Sequence, residues 1–399
     1  MLNSMFFSNA LDNGAYRKTI DRSLVSVGDS ARTRAAVARA RAGEPVTIAF
    51  IGGSITEGYN ASAPDRSYAR LFHREFAARY GVNGGENVTY RNAGMAGTPS
   101  TLGMIRYRRD VIGGDGRAPD VVVVEFAVND GDDVTNGAAY ESLVAEILGA
   151  PNAPAVILLF SVFKSRWNLQ DRLMPIGEAY GLPMVSVRDA VVPELDAGRM
   201  GDDEFFDDIY HPTDFGHRVI ADCLARYLDE FDAARASPGA RTESPESLPP
   251  AVIGRQFVGI RMLDRERVSA GASVVPGAFS AVDPALAVFG KEASRPIFPS
   301  NWHKPDGSDA GEFRMEIECR ALVVVYKRSV DSGAFGVAEA LVDGEVVDTL
   351  DGAPPGSWNN AFARVLADGT ERARRVVTIR MEAGYEASAF TILAFGYTE

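Results

Sequence analysis

Ser54 closes an apolar run, Val46–Gly52, and follows the pair Gly52-Gly53. A hydroxyl is a weak nucleophile near neutral pH. It needs a base to take its proton and a carboxylate to hold the base's tautomer. His211 and Asp208, in Asp208-Ile209-Tyr210-His211-Pro212, have the spacing for that work. A carboxylate three residues before an imidazole can turn back to Nδ1 and leave Nε2 for the alcohol. Asp207 is a rival acid, and the spacing favours Asp208. Of the other histidines, His73 and His217 fall in helical patterns and His303 in a strand-rich region, where a structural role is expected. Attack on an acyl carbonyl also builds an oxyanion that needs N–H donors. Gly94, in Asn92-Ala93-Gly94, and Asn129, in Ala127-Val128-Asn129-Asp130, each end an apolar run. The N–H groups of Ser54 and Gly94 and the Asn129 amide are the candidate donors. Singly, each of these residues would pass for a turn glycine, a cap or a structural histidine. Together on strand ends they point to acyl transfer.

Positioning them requires a sheet with its carboxyl ends on one edge. Val46–Gly52, Val88–Gly94, Val121–Val128, Ala155–Val162 and Leu182–Val187 read as strands, several apolar on both faces as in parallel sheets sandwiched by helices. Tyr140, Leu143, Val144 and Ile147 share one helix face, as do Val219, Ile220, Cys223, Leu224, Tyr227, Leu228 and Phe231 after His211. Thr213 is the expected N-cap of that last helix, and residues 31–43 are expected to form a helix ending at Gly43. Such β-α alternation predicts a three-layer α/β domain of flavodoxin-like type, with ligands at the strand carboxyl ends. We assign it to residues 1–236, with 1–30 as an extension. Residues 237–250 form a Pro/Ser/Glu-rich linker. Residues 251–399 change to a period of two, with Asp-Gly turns at 343–344 and 351–352, and predict an all-β, jelly-roll-like sandwich.

The 399 residues carry a formal net charge of -13, which argues against nucleic acid or an anionic membrane as partner. The clusters Arg106, Arg108, Arg109 and Arg372, Arg374, Arg375 are expected to be solvated faces. Cys223 and Cys319 are expected to be buried free thiols. No zinc spacing or phosphate-binding glycine motif occurs, so no metal or cofactor is expected. No leader pattern or membrane span is seen, which makes a cytoplasmic location the expectation. Homo-oligomerisation is left open. Trp302 and Trp358 could stack on sugars, and packing in a core or interface is the expectation for either.

These blocks resemble the SGNH hydrolases, the GDSL-like esterases. That family carries Ser in a G-D-S block, then Gly, then Asn in G-x-N-D, then D-x-x-H-P. The resemblance covers roughly residues 30–232. It implies Ser54 as nucleophile, His211 as base, Asp208 as orienting acid, and Ser54, Gly94 and Asn129 as the oxyanion hole. Two positions depart from the pattern: Gly53 stands where Asp is frequent, and Ala127 where Gly is. The stretch GGSITEGYNAS with a β-rich C-terminal domain is similar to bacterial carbohydrate esterases that remove acetyl groups. The implied substrate is a small-molecule or oligosaccharide ester. Alternatives are a thioesterase or lipase for longer acyl chains, or a catalytically silent carbohydrate-binding protein.

Overall fold

A computed structural model describes residues 13–114, 116–235, 248–268, 271–286, 297–308 and 311–399. Most of the linker expected over 237–250, and the start of the extension expected over 1–30, lie outside the described residues. The first part of the chain runs α1 (Asn13–Asp21), β1 (Leu24–Ser26), α2 (Ala31–Arg41), β2 (Val46–Gly52), α3 (Ser54–Glu57), α4 (Tyr68–Tyr80), β3 (Val88–Gly94), α5 (Ser100–Tyr107), β4 (Val121–Glu125), α6 (Ala138–Leu148), β5 (Ala155–Phe160), α7 (Gln170–Ala179), β6 (Met184–Ser186), α8 (Val187–Asp196), α9 (Asp202–Phe205) and α10 (Asp214–Arg235). The sheet order is β1-β6-β5-β4-β2-β3. β2 to β6 are parallel, and β1 pairs with β6 antiparallel at the edge. The sequence predicts the five parallel strands but not β1, whose three residues are too few to show a period.

β2 shows how the helices are recruited to both faces. Ile48 and Phe50 point into a core with Phe72 and Phe76 of α4 and Leu224 of α10. Ala49 and Ile51 point the other way, against Leu102 and Ile105 of α5 and Leu143 of α6. Successive side chains of a strand face opposite sides, so an apolar strand with two covered faces needs two helical layers. α10 starts where predicted, with Thr213 Oγ1 accepting the Gly216 N–H at 3.1 Å.

The named strands of the C-terminal part pair antiparallel: β7 (Arg261–Leu263), β8 (Ala272–Val275), β9 (Trp302–Lys304), β10 (Phe313–Arg328), β11 (Val337–Val342), β12 (Glu345–Asp351), β13 (Asn360–Met381) and β14 (Phe390–Tyr397). The long strands β10 and β13 pair with each other through register shifts at Cys319/Ala321 and Leu322/Val323. β10 lends its first half to β8 and its second half to β14. Asp343 and Gly344 both take positive φ and make the tight β11–β12 turn as predicted. Asp351-Gly352 does not make a second tight hairpin, because the chain runs on through residues 352–359 before β13 begins.

The run Ala321–Tyr326 is apolar at every position, and the structure explains why. Leu322, Val324 and Tyr326 fill the β domain's own core with Trp302, Phe313 and Phe390. Ala321, Val323 and Val325 face outward into the second core of the α/β domain, beside Ile105, Phe257 and Ile260. The approach is close enough that a Cβ on Gly396 of β14 would lie 2.6 Å from Ile105 Cγ1. The segment entering the β domain is also tied by hydrogen bonds. Glu141 Oε2 accepts the N–H groups of Ile253 at 2.6 Å and Gly254 at 2.8 Å, and its Oε1 accepts that of Val252 at 2.8 Å. Cys223 and Cys319 are buried and free.

Candidate active site

β2, β3 and β4 are neighbours and finish level, with Gly52 in register with Gly94 on one side and Glu125 on the other. Their outgoing loops therefore open on one sheet edge. After β2 the chain crosses Gly53 and enters α3, with Ser54 as its first residue. Neither glycine has room for a side chain. A Cβ on Gly52 would sit 2.2 Å from Thr56 Oγ1, and one on Gly53 2.0 Å from Asn129 Oδ1. At Gly53 the Asn129 side chain stands where a Cβ would be.

Ser54 Oγ lies 2.8 Å from His211 Nε2, and His211 Nδ1 lies 2.8 Å from Asp208 Oδ2. Asp208 Oδ1 also accepts the N–H groups of Tyr210 and His211, each at 2.7 Å, while Asn60 Nδ2 donates to Oδ2 at 3.2 Å. Burial works against its ionisation. The His211 imidazole and the two N–H donors nevertheless hold the carboxyl below the usual carboxylate range. Asp207 is exposed, and its recorded bond to His211 is through the backbone, its N–H to the His211 carbonyl at 2.9 Å. Tyr59 covers the His211 ring, with centroids 4.1 Å apart. His217 supports that contact from below. Burial pushes its imidazole down to about 4, and Nε2 donates to the Tyr59 carbonyl at 2.9 Å.

The expected donor Gly94 is a correction. Its N–H donates to Asn92 Oδ1 at 2.8 Å, so it is spent within its own strand end. A Cβ at Gly94 would lie 2.1 Å from the Glu57 N, which gives this glycine a packing role against α3. Gly97, three residues on and at φ +63°, lines the cleft instead. Its N–H has no hydrogen-bond partner among the described residues, and the same holds for the Ser54 N–H. Asn129 also lines the cleft, and its buried Oδ1 has no partner among the described residues. The signal for Gly97 was present in the sequence: it is the glycine at the turn between β3 and α5, where a positive φ is needed.

A second correction concerns Arg106. It is fully buried rather than solvated, donating to the Gly52 carbonyl at 2.9 Å and to the Ala93 carbonyl, with Asp110 at 3.3 Å as counter-ion. Its guanidinium joins the ends of β2 and β3 beneath the site. Behind β4, burial pushes the Glu125 carboxyl up to about 7, and burial with Asp133 nearby holds Asp130 well above its usual value.

The cleft over Ser54 has a volume of about 440 Å³. Its far wall is aromatic. Phe163 stacks on Trp167 with centroids 5.8 Å apart and meets Tyr210 edge-on at 5.0 Å. Trp358, from the loop between β12 and β13, closes the remaining side against Gly97, where an added Cβ would lie 2.4 Å from Trp358 Cζ2. Trp302 is a core residue, buried between Phe313 and Phe395. The two tryptophans of the β domain therefore differ: Trp302 packs in a core, while Trp358 packs at the interface with Gly97 and also lines the cleft.

Residues 50–219 match the family model of the GDSL-like lipase/acylhydrolases. The crystal structure of a two-domain esterase (CEX) active on acetylated mannans superposes with a TM-score of 0.80 at 25% identity, over 95% of this chain and 99% of that one. The same esterase co-crystallised with mannopentaose gives 0.78 at 25% identity, over 95% and 98%. No curated protein matches the chain. Among the described residues, no helix is long and apolar enough to cross a membrane. The level strand ends, the family match over 50–219 and the two-domain superposition together identify the protein as a carboxylic ester hydrolase that resembles the GDSL-like lipase/acylhydrolases in its α/β domain and a two-domain esterase over its whole length.

Proposed function

We propose that the protein removes small O-acyl groups, acetyl above all, from a carbohydrate by a Ser-His-Asp mechanism. The observation that carries this reading is the 2.8 Å contact from Ser54 Oγ to His211 Nε2 inside a cleft bordered by N–H groups that have no hydrogen-bond partner among the described residues. His211 takes the Ser54 proton as Oγ attacks the acyl carbon. The oxyanion rests on the N–H groups of Ser54 and Gly97 and the amide of Asn129. Collapse breaks the ester bond, and the sugar oxygen leaves with the proton held on His211. A water then gives its proton to His211 and attacks the acyl-enzyme, releasing the acid and restoring Ser54 Oγ–H. Asp208 keeps Nδ1–H oriented throughout.

The carbohydrate part is supported by the esterase active on acetylated mannans, which aligns over 95% of this chain. It is also supported by the cleft itself, where aromatic rings stand beside the exposed Asp132 carboxylate, a mixture that suits a pyranose better than an alkyl chain. The direct test is Ser54→Ala on p-nitrophenyl acetate, with a kcat loss of about 10⁴- to 10⁶-fold expected. Wild-type turnover would overturn the nucleophile. Acetate release from acetylated mono-, oligo- and polysaccharides tests the substrate. A preference for octanoyl over acetyl esters would move it to longer acyl chains.

A further inference from the structure

We propose that Glu57 is a positioning residue for the oxyanion pocket, fixing the loop that presents the Gly97 N–H. The inference rests on the reading of Ser54 as nucleophile and Gly97 as donor. Glu57 ends the helical turn that Ser54 begins, and it is only 7% exposed. Its Oε2 accepts the Ala96 N–H at 2.8 Å. Ala96 directly precedes Gly97, so the turn that carries the nucleophile also carries the acceptor that places the donor.

The rest of the loop is keyed to the same parts. Asn92 Nδ2 donates to the Thr56 carbonyl at 2.8 Å, and the Met95 N–H to the Gly52 carbonyl at 3.0 Å. At the far end the Ser100 N–H donates to Asp130 Oδ1 at 2.6 Å, one residue after Asn129. Three of these bonds use a side chain, and of the three the one to Glu57 ends one residue from the Gly97 N–H. A glycine at positive φ has no side chain to hold it and takes its position from its neighbours. Loss of the Glu57 acceptor frees Gly97 to move. A misplacement of about 1 Å at such a donor lowers turnover by on the order of 10²-fold.

The test compares Glu57→Gln, Glu57→Asp and Glu57→Ala by kcat and KM on p-nitrophenyl acetate, and by inhibition with phenylboronic acid, which forms a tetrahedral anion on the nucleophile. If the reach of the acceptor matters, Gln stays within about threefold of wild type, Asp falls about 10-fold for its missing methylene, and Ala falls about 10²-fold. KM stays within about twofold, and boronate affinity falls in step with kcat. An active Asp variant beside an inactive Gln variant would overturn the proposal, since charge and not reach would then matter. So would losses confined to KM, or boronate affinity unchanged while kcat falls. If the Ala variant fails to fold, the Gln–Asp pair decides alone. Labelling of wild-type Ser54 by a fluorophosphonate separates the two levels. A labelled Ser54 with a flat Glu57 series sinks this proposal only, whereas an unlabelled Ser54 with an active Ser54→Ala enzyme sinks the nucleophile.

Discussion

The two walls of the cleft are built by opposite means. The inner wall, with Ser54, Asn129, Gly97 and His211, consists of the segments that follow strand ends or precede α10, held by hydrogen bonds made by these residues or their neighbours. The outer wall consists of half-exposed rings, with Trp167 40% and Tyr210 48% exposed and Trp358 brought in from the other domain. The inner wall takes its geometry from the level ends of the sheet, and on the proposed mechanism that geometry serves bond-making. The outer wall offers contact area, and it takes its placement from packing between domains. Rate should therefore depend on the inner wall and recognition on the outer.

The comparison breaks first at the acid. Asp208→Asn should lower kcat about 10⁴-fold, since the imidazole then loses its tautomer, while the exposed Asp207→Asn should stay within about twofold of wild type. Initial rates on p-nitrophenyl acetate check both, and the reverse order would exchange the acids. Next comes Asn129→Ala, with a kcat loss of about 10²- to 10³-fold and little change in KM. A loss mainly in KM would put Asn129 in the outer wall's class.

The walls touch at Gly97 and Trp358, which sharpens the contrast. Gly97→Ala should cost about 10²-fold in kcat, from a strained φ and the 2.4 Å contact together. Adding Trp358→Ala should restore part of it, and a double-mutant cycle measures the coupling. By itself, Trp358→Ala should raise KM about 10-fold on an acetylated oligosaccharide and leave kcat on p-nitrophenyl acetate within about threefold. The smallest effect on turnover belongs to Glu141→Ala, which acts on domain attachment. It leaves three N–H groups without their acceptor and should cost about 3 kcal/mol of stability, read from denaturant midpoints. Burial opposes ionisation of Glu141, but the N–H groups of Val252, Ile253 and Gly254 hold its carboxyl below the usual value. A lowered folded pKa means that this stabilisation is full above the unfolded value of about 4.3 and is lost as pH falls through the folded one. The gap between wild type and Glu141→Ala should narrow below about pH 4.

Much of the inner wall could be read from sequence because it is local. Ser54 and Asn129 follow apolar strands, and His211 precedes a capped helix, so each is marked by punctuation within a few residues. The expectation names Gly94 and not Gly97, and it fails for a reason of direction. Both glycines follow the same strand, and only the folded loop reveals that one N–H is spent on Asn92 and the other is unpaired. Arg106 failed because a charged cluster reads as surface. Its burial depends on the carbonyls of Gly52 and Ala93, distant in the chain. Trp358 was ambiguous, since an aromatic residue in a loop carries no mark of what it faces.

Taken alone, the amino-acid sequence determined the alternation of strands and helices, the edge on which the reactive residues stand, and the change of period that begins the β domain, because hydrophobic periodicity is a property of neighbouring residues. Tertiary structure alone decided which N–H groups stay unpaired, that Arg106 is buried, and that a loop of the β domain walls the cleft. The last of these depends on how the β domain packs on the α/β domain, where Ala321, Val323 and Val325 share a core with Ile105, a contact between segments more than two hundred residues apart that no local pattern encodes.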